Sequence, residues 1–280
     1  GPPRPGGAAE HGRPSLDPAL AIPPSPADQI ARGIAPPSPP GAIQQPPASP
    51  PAAAYVDPND FEKRLLRSSV RIKVEDASGH SFGTGTIIDS VEGEALVITC
   101  GHLFRGEAEK GTVTIEVFEP TAGGLQITQR VQGTLRSFDL DRDIGLVSFR
   151  PTGPVTVARV AAQPCERVNE AAWSVGCDRG ADPTVRSSRV TAIQRYHGPH
   201  NLETSGAPVE GRSGGGLFNS QGELIGVCFA ADPQLDEGLY SAIPSIQQEL
   251  DRLGLSRLYQ QPAPQSLASS PIERRAHRLA

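Results

Sequence analysis

No apolar run in this 280-residue sequence is long enough to span a bilayer, and no charged start followed by an apolar stretch reads as an export signal. Excess charge of one sign is lacking as well. A formal net charge of −5 and a pI near 5.7 leave no footprint for nucleic acid or for an anionic membrane surface. Cysteine is scarce: Cys100, Cys165, Cys177 and Cys228 permit three pairings but lack the tight spacing of a zinc or redox motif. Buried free thiols are the expected state, with at least one disulfide as the alternative. Methionine is absent altogether and the first residue is Gly1, so the sequence reads as a fragment or processed form whose upstream part would have held any signal or anchor.

What is present is unevenly spread. Of the 29 prolines, 17 fall in residues 1–58, in runs such as Pro36-Pro37-Ser38-Pro39-Pro40 with hardly an aromatic residue. Such a segment buries too little apolar surface to offset its ordering entropy, so residues 1–59 are expected to form a disordered proline-rich linker. Residues 260–280 have the same polar character and are expected to be a disordered tail. Residues 60–259 remain as the globular part.

Within that part, Asp57 to Leu66 offers cap residues followed by helix formers. Short alternating or β-branched runs then dominate: 70–74, 85–88, 95–99, 113–118, 125–131 and 144–149. A second set starts near Val157 and continues through 171–175, 185–193, 216–218, 224–229 and 239–243. This density of short strands is that of small antiparallel barrels or sandwiches. After Pro244, apolar residues recur at helical spacing up to Leu253, and Gly254 ends the pattern. The chain is therefore expected to be all-β, in two halves closed by one C-terminal helix.

The strongest chemical signal is Glu210-Gly211-Arg212-Ser213-Gly214-Gly215-Gly216, a serine set among glycines just before a strand. Glycine lets the backbone turn so that the amides of Gly211 and Ser213 share one concavity, suited to the negative charge that develops on a carbonyl oxygen under attack. Taken alone, such a string is also ordinary turn material. It is accompanied by His102, just past an apolar run in Val97-Ile98-Thr99-Cys100-Gly101-His102, and by Asp143, just before one in Asp141-Arg142-Asp143-Ile144-Gly145-Leu146-Val147. A serine needs a base for its proton, and an imidazole needs a carboxylate to fix its tautomer.

These segments resemble the trypsin-like peptidases, and most closely their bacterial HtrA (Deg) branch. The resemblance covers roughly residues 67–253 and includes Ser81-Phe82-Gly83-Thr84-Gly85-Thr86, Ala172-Trp173-Ser174-Val175-Gly176 and Gly238-Leu239-Tyr240-Ser241. It implies two six-stranded antiparallel β-barrels, the first over about 67–155 and the second over about 156–244, with a helix at about 244–253. It also implies a serine endopeptidase with a catalytic triad of His102, Asp143 and Ser213 and an oxyanion hole in the segment Gly211, Arg212, Ser213. Polypeptide substrates are then the expected partners, an oligomer is possible, and neither metal nor organic cofactor is needed. An extracytoplasmic location is favoured over a cytoplasmic one.

Two departures from the family stand out. Arg212 occupies the place where zymogen-type relatives carry an aspartate that pairs with a freed N-terminus, so activation by that ion pair is not expected. Only a short tail follows Leu253, so control by a peptide-binding PDZ domain would have to come from another chain. The matching pocket positions are Ala207 at the floor and Ala231 and Gly238 at the walls, which suits small or medium apolar side chains before the cleaved bond. Asp141 is read as a solvated turn residue, Arg212 as exposed beside the cleft, Trp173 as core, and His11, His80, His197, His200 and His277 as surface residues. Rival readings are a catalytically silent binding module and an adaptor whose proline-rich arm docks onto aromatic grooves.

Overall fold

A computed structural model describes residues 58–260, apart from Ser78 and Glu166. Of the expected linker and tail, residues 1–57 and 261–280, with His11 and His277, lie outside the described residues, whereas Pro58 and Asn59 already belong to the first helix and Gln260 ends a short helical turn, Arg257–Gln260. The first helix, α1 (Pro58–Arg67), turns Phe61 and Leu65 inward. It ends where the Ser68 and Ser69 hydroxyls both donate to the Leu65 carbonyl at 3.0 Å.

Six strands follow: β1 (Ser69–Asp76), β2 (Gly79–Val91), β3 (Glu94–Thr99), β4 (Thr112–Thr121), β5 (Gly124–Asp139) and β6 (Ile144–Phe149). They close an antiparallel barrel in the order β1-β2-β3-β6-β5-β4. Strand β1 buries Val70, Ile72 and Val74 on one face, as period-two alternation requires, while β6 is buried along its whole length.

The second barrel comprises β7 (Ala171–Gly176), β8 (Thr184–Ile193), β9 (Asn201–Ser205), β10 (Gly216–Phe218), β11 (Leu224–Asp232) and β12 (Glu237–Ala242). Its ring, β7-β8-β9-β12-β11-β10, repeats the connectivity of the first. Helix α2 (Ile243–Arg252) leaves the second barrel and packs back on the first, where Ser137 Oγ donates to Glu249 Oε1 at 2.8 Å. In the opposite sense α1, which precedes the first barrel, sets Phe61 edge-on against the partly buried Trp173 of the second at 5.0 Å. Each of the two helices thus contacts the barrel to which it is not directly joined.

Two expectations fail locally. The run near Val157 forms no strand; the connection makes an isolated bridge between Val160 and Leu224, and Ala158 N donates to the Ile87 carbonyl at 2.8 Å. Conversely, β9 (Asn-Leu-Glu-Thr-Ser) carries one apolar residue and gave no signal. Its polar residues face inward nonetheless: Glu203 is 1% exposed and Asn201 2%.

Glu203 makes that burial measurable. Arg195 Nη1 lies 2.9 Å from its Oε2 and 3.2 Å from Glu237 Oε2, with Asp232 and Tyr196 also facing the group. Burial first, then the hydrogen bond with Glu237, push the Glu203 carboxyl up from 4.5 to about 8. The unfolded chain ionises above 4.5 while the folded one keeps its proton until about 8, so stability from this group is lost as pH rises through that window. Glu203→Gln is expected to raise Tm over wild type by roughly 3–6 °C at pH 8 and by less at pH 5, as read by differential scanning calorimetry. An equal gain at both pH values would contradict this.

Candidate active site

Three loops meet at the cleft. Strand β3 ends at Thr99, and a short 3-10 turn (Gly101–Phe104) presents His102. The turn before β6 holds Asp143, 8% exposed, with φ of +51°. That left-handed value is uncommon outside glycine, though Asp tolerates it better than most residues. It aims both carboxylate oxygens at one residue: Oδ2 lies 2.8 Å from His102 Nδ1, and Oδ1 accepts the His102 backbone N–H at 2.7 Å. The ring is thereby fixed with Nδ1 as donor and Nε2 turned away. Asp141, its rival in the sequence, is exposed as expected.

His102 is pushed up to about 11. The largest cause is the electrostatic influence of the neighbouring Cys100 sulfur, burial opposes it, and the hydrogen bonds of Asp143 and Cys100 and the charge of Asp143 add to it. Cys100 Sγ lies 3.6 Å from Nε2. Only the neutral imidazole, with a lone pair on Nε2, can accept a proton from a hydroxyl.

The serine loop comes from the second barrel and is clamped by the first. Thr84 of β2 donates its amide to the Ser213 carbonyl at 2.8 Å and its hydroxyl to the Gly211 carbonyl at 2.9 Å. Thr99 Oγ1 in turn donates to the Thr84 carbonyl at 2.6 Å. Gly214 sits at φ +82°, where an added Cβ would fall 2.0 Å from Thr99 Oγ1 and 2.2 Å from the Thr84 carbonyl oxygen. No other residue fits, so the loop lies directly on the strand end that carries His102. From the other side Ser241 Oγ of β12 donates to the Arg142 carbonyl at 2.6 Å, steadying the turn before Asp143.

Gly211 has φ of +87°, and the Glu210 carbonyl before it accepts from Arg179 N at 2.6 Å. In a trans peptide the N–H points opposite to the C=O, so the Gly211 amide faces away from Arg179. Neither the Gly211 nor the Ser213 amide has an acceptor among the described residues. The Ser213 hydroxyl, half-buried, likewise makes no hydrogen bond among them, with His102 or otherwise.

Arg212 corrects two expectations. It is not exposed beside the cleft but fully buried, and its amide donates to the Val209 carbonyl at 3.1 Å instead of joining Gly211 and Ser213. Its guanidinium spans β7 and β8, bonding Ser174 Oγ and O, Gly176 O, Thr184 Oγ1 and O, and Asp178 Oδ1 at 2.7–3.2 Å. The sequence reading missed this anchor, together with Thr84, Thr99 and Ser241. Thr84, Thr99 and Ser241 are buried polar side chains inside or beside apolar runs and Arg212 sits among glycines, so that only the fold reveals their partners.

The pocket positions come together. Ala231 pairs with Gly238 across β11 and β12, and a Cβ on Gly238 would lie 3.0 Å from Pro208, the neighbour of Ala207. The same Cβ would lie 3.0 Å from Tyr240 Cε2, so the Tyr240 ring stands on the Gly238 face and closes off depth there. Ala207 and Ala231 are half-buried and Gly238 is buried. All four cysteines are free, with Cys100, Cys177 and Cys228 buried and Cys165 partly so. His80, His197 and His200 are exposed, as expected. One group among the described residues has metal-ligand character: atoms of Cys100, His102 and Asp143 lie within 4.8 Å of one another.

Comparison with known proteins finds proteases among the similar chains. Over 162 residues the chain is 30% identical to "Putative protease Do-like 14" of Arabidopsis thaliana, covering 53% of this chain and 35% of that one. Over 172 residues it is 30% identical to "Periplasmic serine endoprotease DegP" of Escherichia coli, covering 59% and 34%. The chain thus spans about a third of the length of these relatives. The fold is shared with the active form of a protease from M. tuberculosis, at TM-score 0.57 and 20% identity over 80% of this chain and 97% of that one. It is shared too with the serine endoprotease from Yersinia pestis, at TM-score 0.57 and 19% identity over 73% and 68%. The Trypsin-like peptidase domain family matches residues 83–227, more than half of the sequence, and the chain belongs to that family.

Proposed function

We propose that this chain is a serine endopeptidase that cleaves peptide bonds through an acyl-enzyme. Ser213 Oγ attacks the carbonyl carbon, and His102 Nε2 takes the hydroxyl proton and then delivers it to the leaving amine. Asp143 holds the ring in the required tautomer and stabilises the imidazolium. The amides of Gly211 and Ser213 face the oxyanion, a contribution of about 3 kcal/mol for each donor. Water then repeats the sequence on the ester, restoring Ser213. The observation that carries this reading is the double hold of Asp143 on His102, at 2.7 and 2.8 Å, beside two amides without acceptors.

Side chains before the cleaved bond are small or medium and apolar, given Ala207, Ala231, Gly238 and the depth taken by Tyr240. Relatives named as periplasmic favour an extracytoplasmic site of action. One observation favours a silent binding module instead: Ser213 Oγ has no bond to His102, and Nε2 faces Cys100. Loose contacts of this kind often tighten only when substrate binds. A fluorophosphonate probe separates the two readings. Labelling that disappears in Ser213→Ala supports the peptidase, whereas a folded wild-type protein that resists the probe supports the silent module.

A further inference from the structure

Acyl transfer as proposed leaves one group at the cleft without a task, the thiol of Cys100. It is fully buried at the end of β3, two residues before His102, with Sγ 3.6 Å from Nε2. Tetrahedral zinc with Zn–S of about 2.3 Å and Zn–N of about 2.0 Å sets sulfur and nitrogen about 3.5 Å apart. The pair therefore stands at the separation of two vertices of a zinc site before any ion arrives. Asp143 completes the pattern, because a metal-binding imidazole typically donates its other N–H to a carboxylate, and Nδ1 lies 2.8 Å from Oδ2. The His102 side chain is 26% exposed, which leaves the imidazole, though not the buried sulfur, in contact with solvent.

We propose that Cys100 Sγ and His102 Nε2 bind a thiophilic divalent cation, zinc above all, as a reversible inhibitor. Sulfur and imidazole select zinc, cobalt or cadmium over magnesium or calcium. On binding, the thiol proton leaves to solvent, the sulfur bonds the ion as thiolate, and water fills the open positions. The Nε2 lone pair is then occupied and no longer accepts a proton from Ser213. The inhibitory consequence rests on the peptidase reading; the binding itself does not.

Cobalt is the probe. Titrating the full chain with Co2+ is expected to produce a thiolate-to-cobalt charge-transfer band that zinc abolishes by competition. The band should persist in Ser213→Ala and Cys165→Ala and vanish in both Cys100→Ala and Cys100→Ser, with folding checked by circular dichroism. At zinc about tenfold above the Kd from that competition, kcat/KM falls about tenfold in wild type and stays within twofold in Cys100→Ala. A missing band, a band that survives Cys100→Ala, or equal zinc inhibition of Cys100→Ala overturns the site. A cobalt band in a protein that never cleaves leaves the site standing and refutes the peptidase reading, so the two failures are distinguishable.

Discussion

Ser213→Ala is expected to fold like wild type yet cut peptide substrates at least about a thousandfold more slowly, and Asp143→Asn to lose about 10⁴ in kcat with little change in KM. The serine hydroxyl makes no hydrogen bond among the described residues and is half-buried, so its removal leaves no orphaned partner and little cavity. What disappears is the nucleophile alone. In Asp143→Asn the side-chain amide presents one oxygen and one NH2 where the carboxylate offers two acceptors to the His102 amide and Nδ1. One of those two bonds must break, and the ring then exposes the wrong tautomer to Ser213. Groups acting as one unit are not additive, so the double variant should be about as slow as Ser213→Ala. Steady-state kinetics on a peptide with a small apolar residue before the cleaved bond checks all three. A Ser213→Ala protein within tenfold of wild type would remove the serine from the chemistry.

The outline of this site was legible because its parts sit at element boundaries that hydrophobic patterning marks. Val97-Ile98 and Leu146-Val147 read as buried strands, so His102 and Asp143 fell on their ends, and the glycines around Ser213 announced an unusual backbone. Strand β9 was not legible, since three of its four buried residues are the polar Asn201, Glu203 and Thr204, which hydrophobic patterning counts as outward-facing. The clamp was hidden for the same reason: Thr84 and Thr99 look like ordinary β-branched strand residues. Their hydroxyls matter only because Gly214 brings the second barrel within reach. Periodicity reports which face is buried, and it is blind to which buried polar atoms satisfy each other.

Arg212 is the sharpest instance, and its replacement should be the most destabilising single change in the site. All five guanidinium donors are used, on two strands and on Asp178, and the stem fills the space where Gly176 has no side chain. Arg212→Met keeps part of that stem but strands the carbonyls of Ser174, Gly176 and Thr184, for an expected loss of about 3–5 kcal/mol in urea unfolding. Asp178 retains Arg186, which limits the damage on its side. Lysine offers a single ammonium that cannot reach Ser174, Thr184 and Asp178 together, so Arg212→Lys should recover under half of the loss. Arg212 lies between the two amides proposed to face the oxyanion, while its own amide bonds Val209. As a positioning residue it never touches substrate, yet a loosened Arg212→Lys loop would misplace donors that matter only in the transition state. Its kcat should therefore fall by about tenfold or more with KM within about twofold, measured well below the unfolding transition. A variant that is destabilised but keeps wild-type kcat would confine Arg212 to the fold.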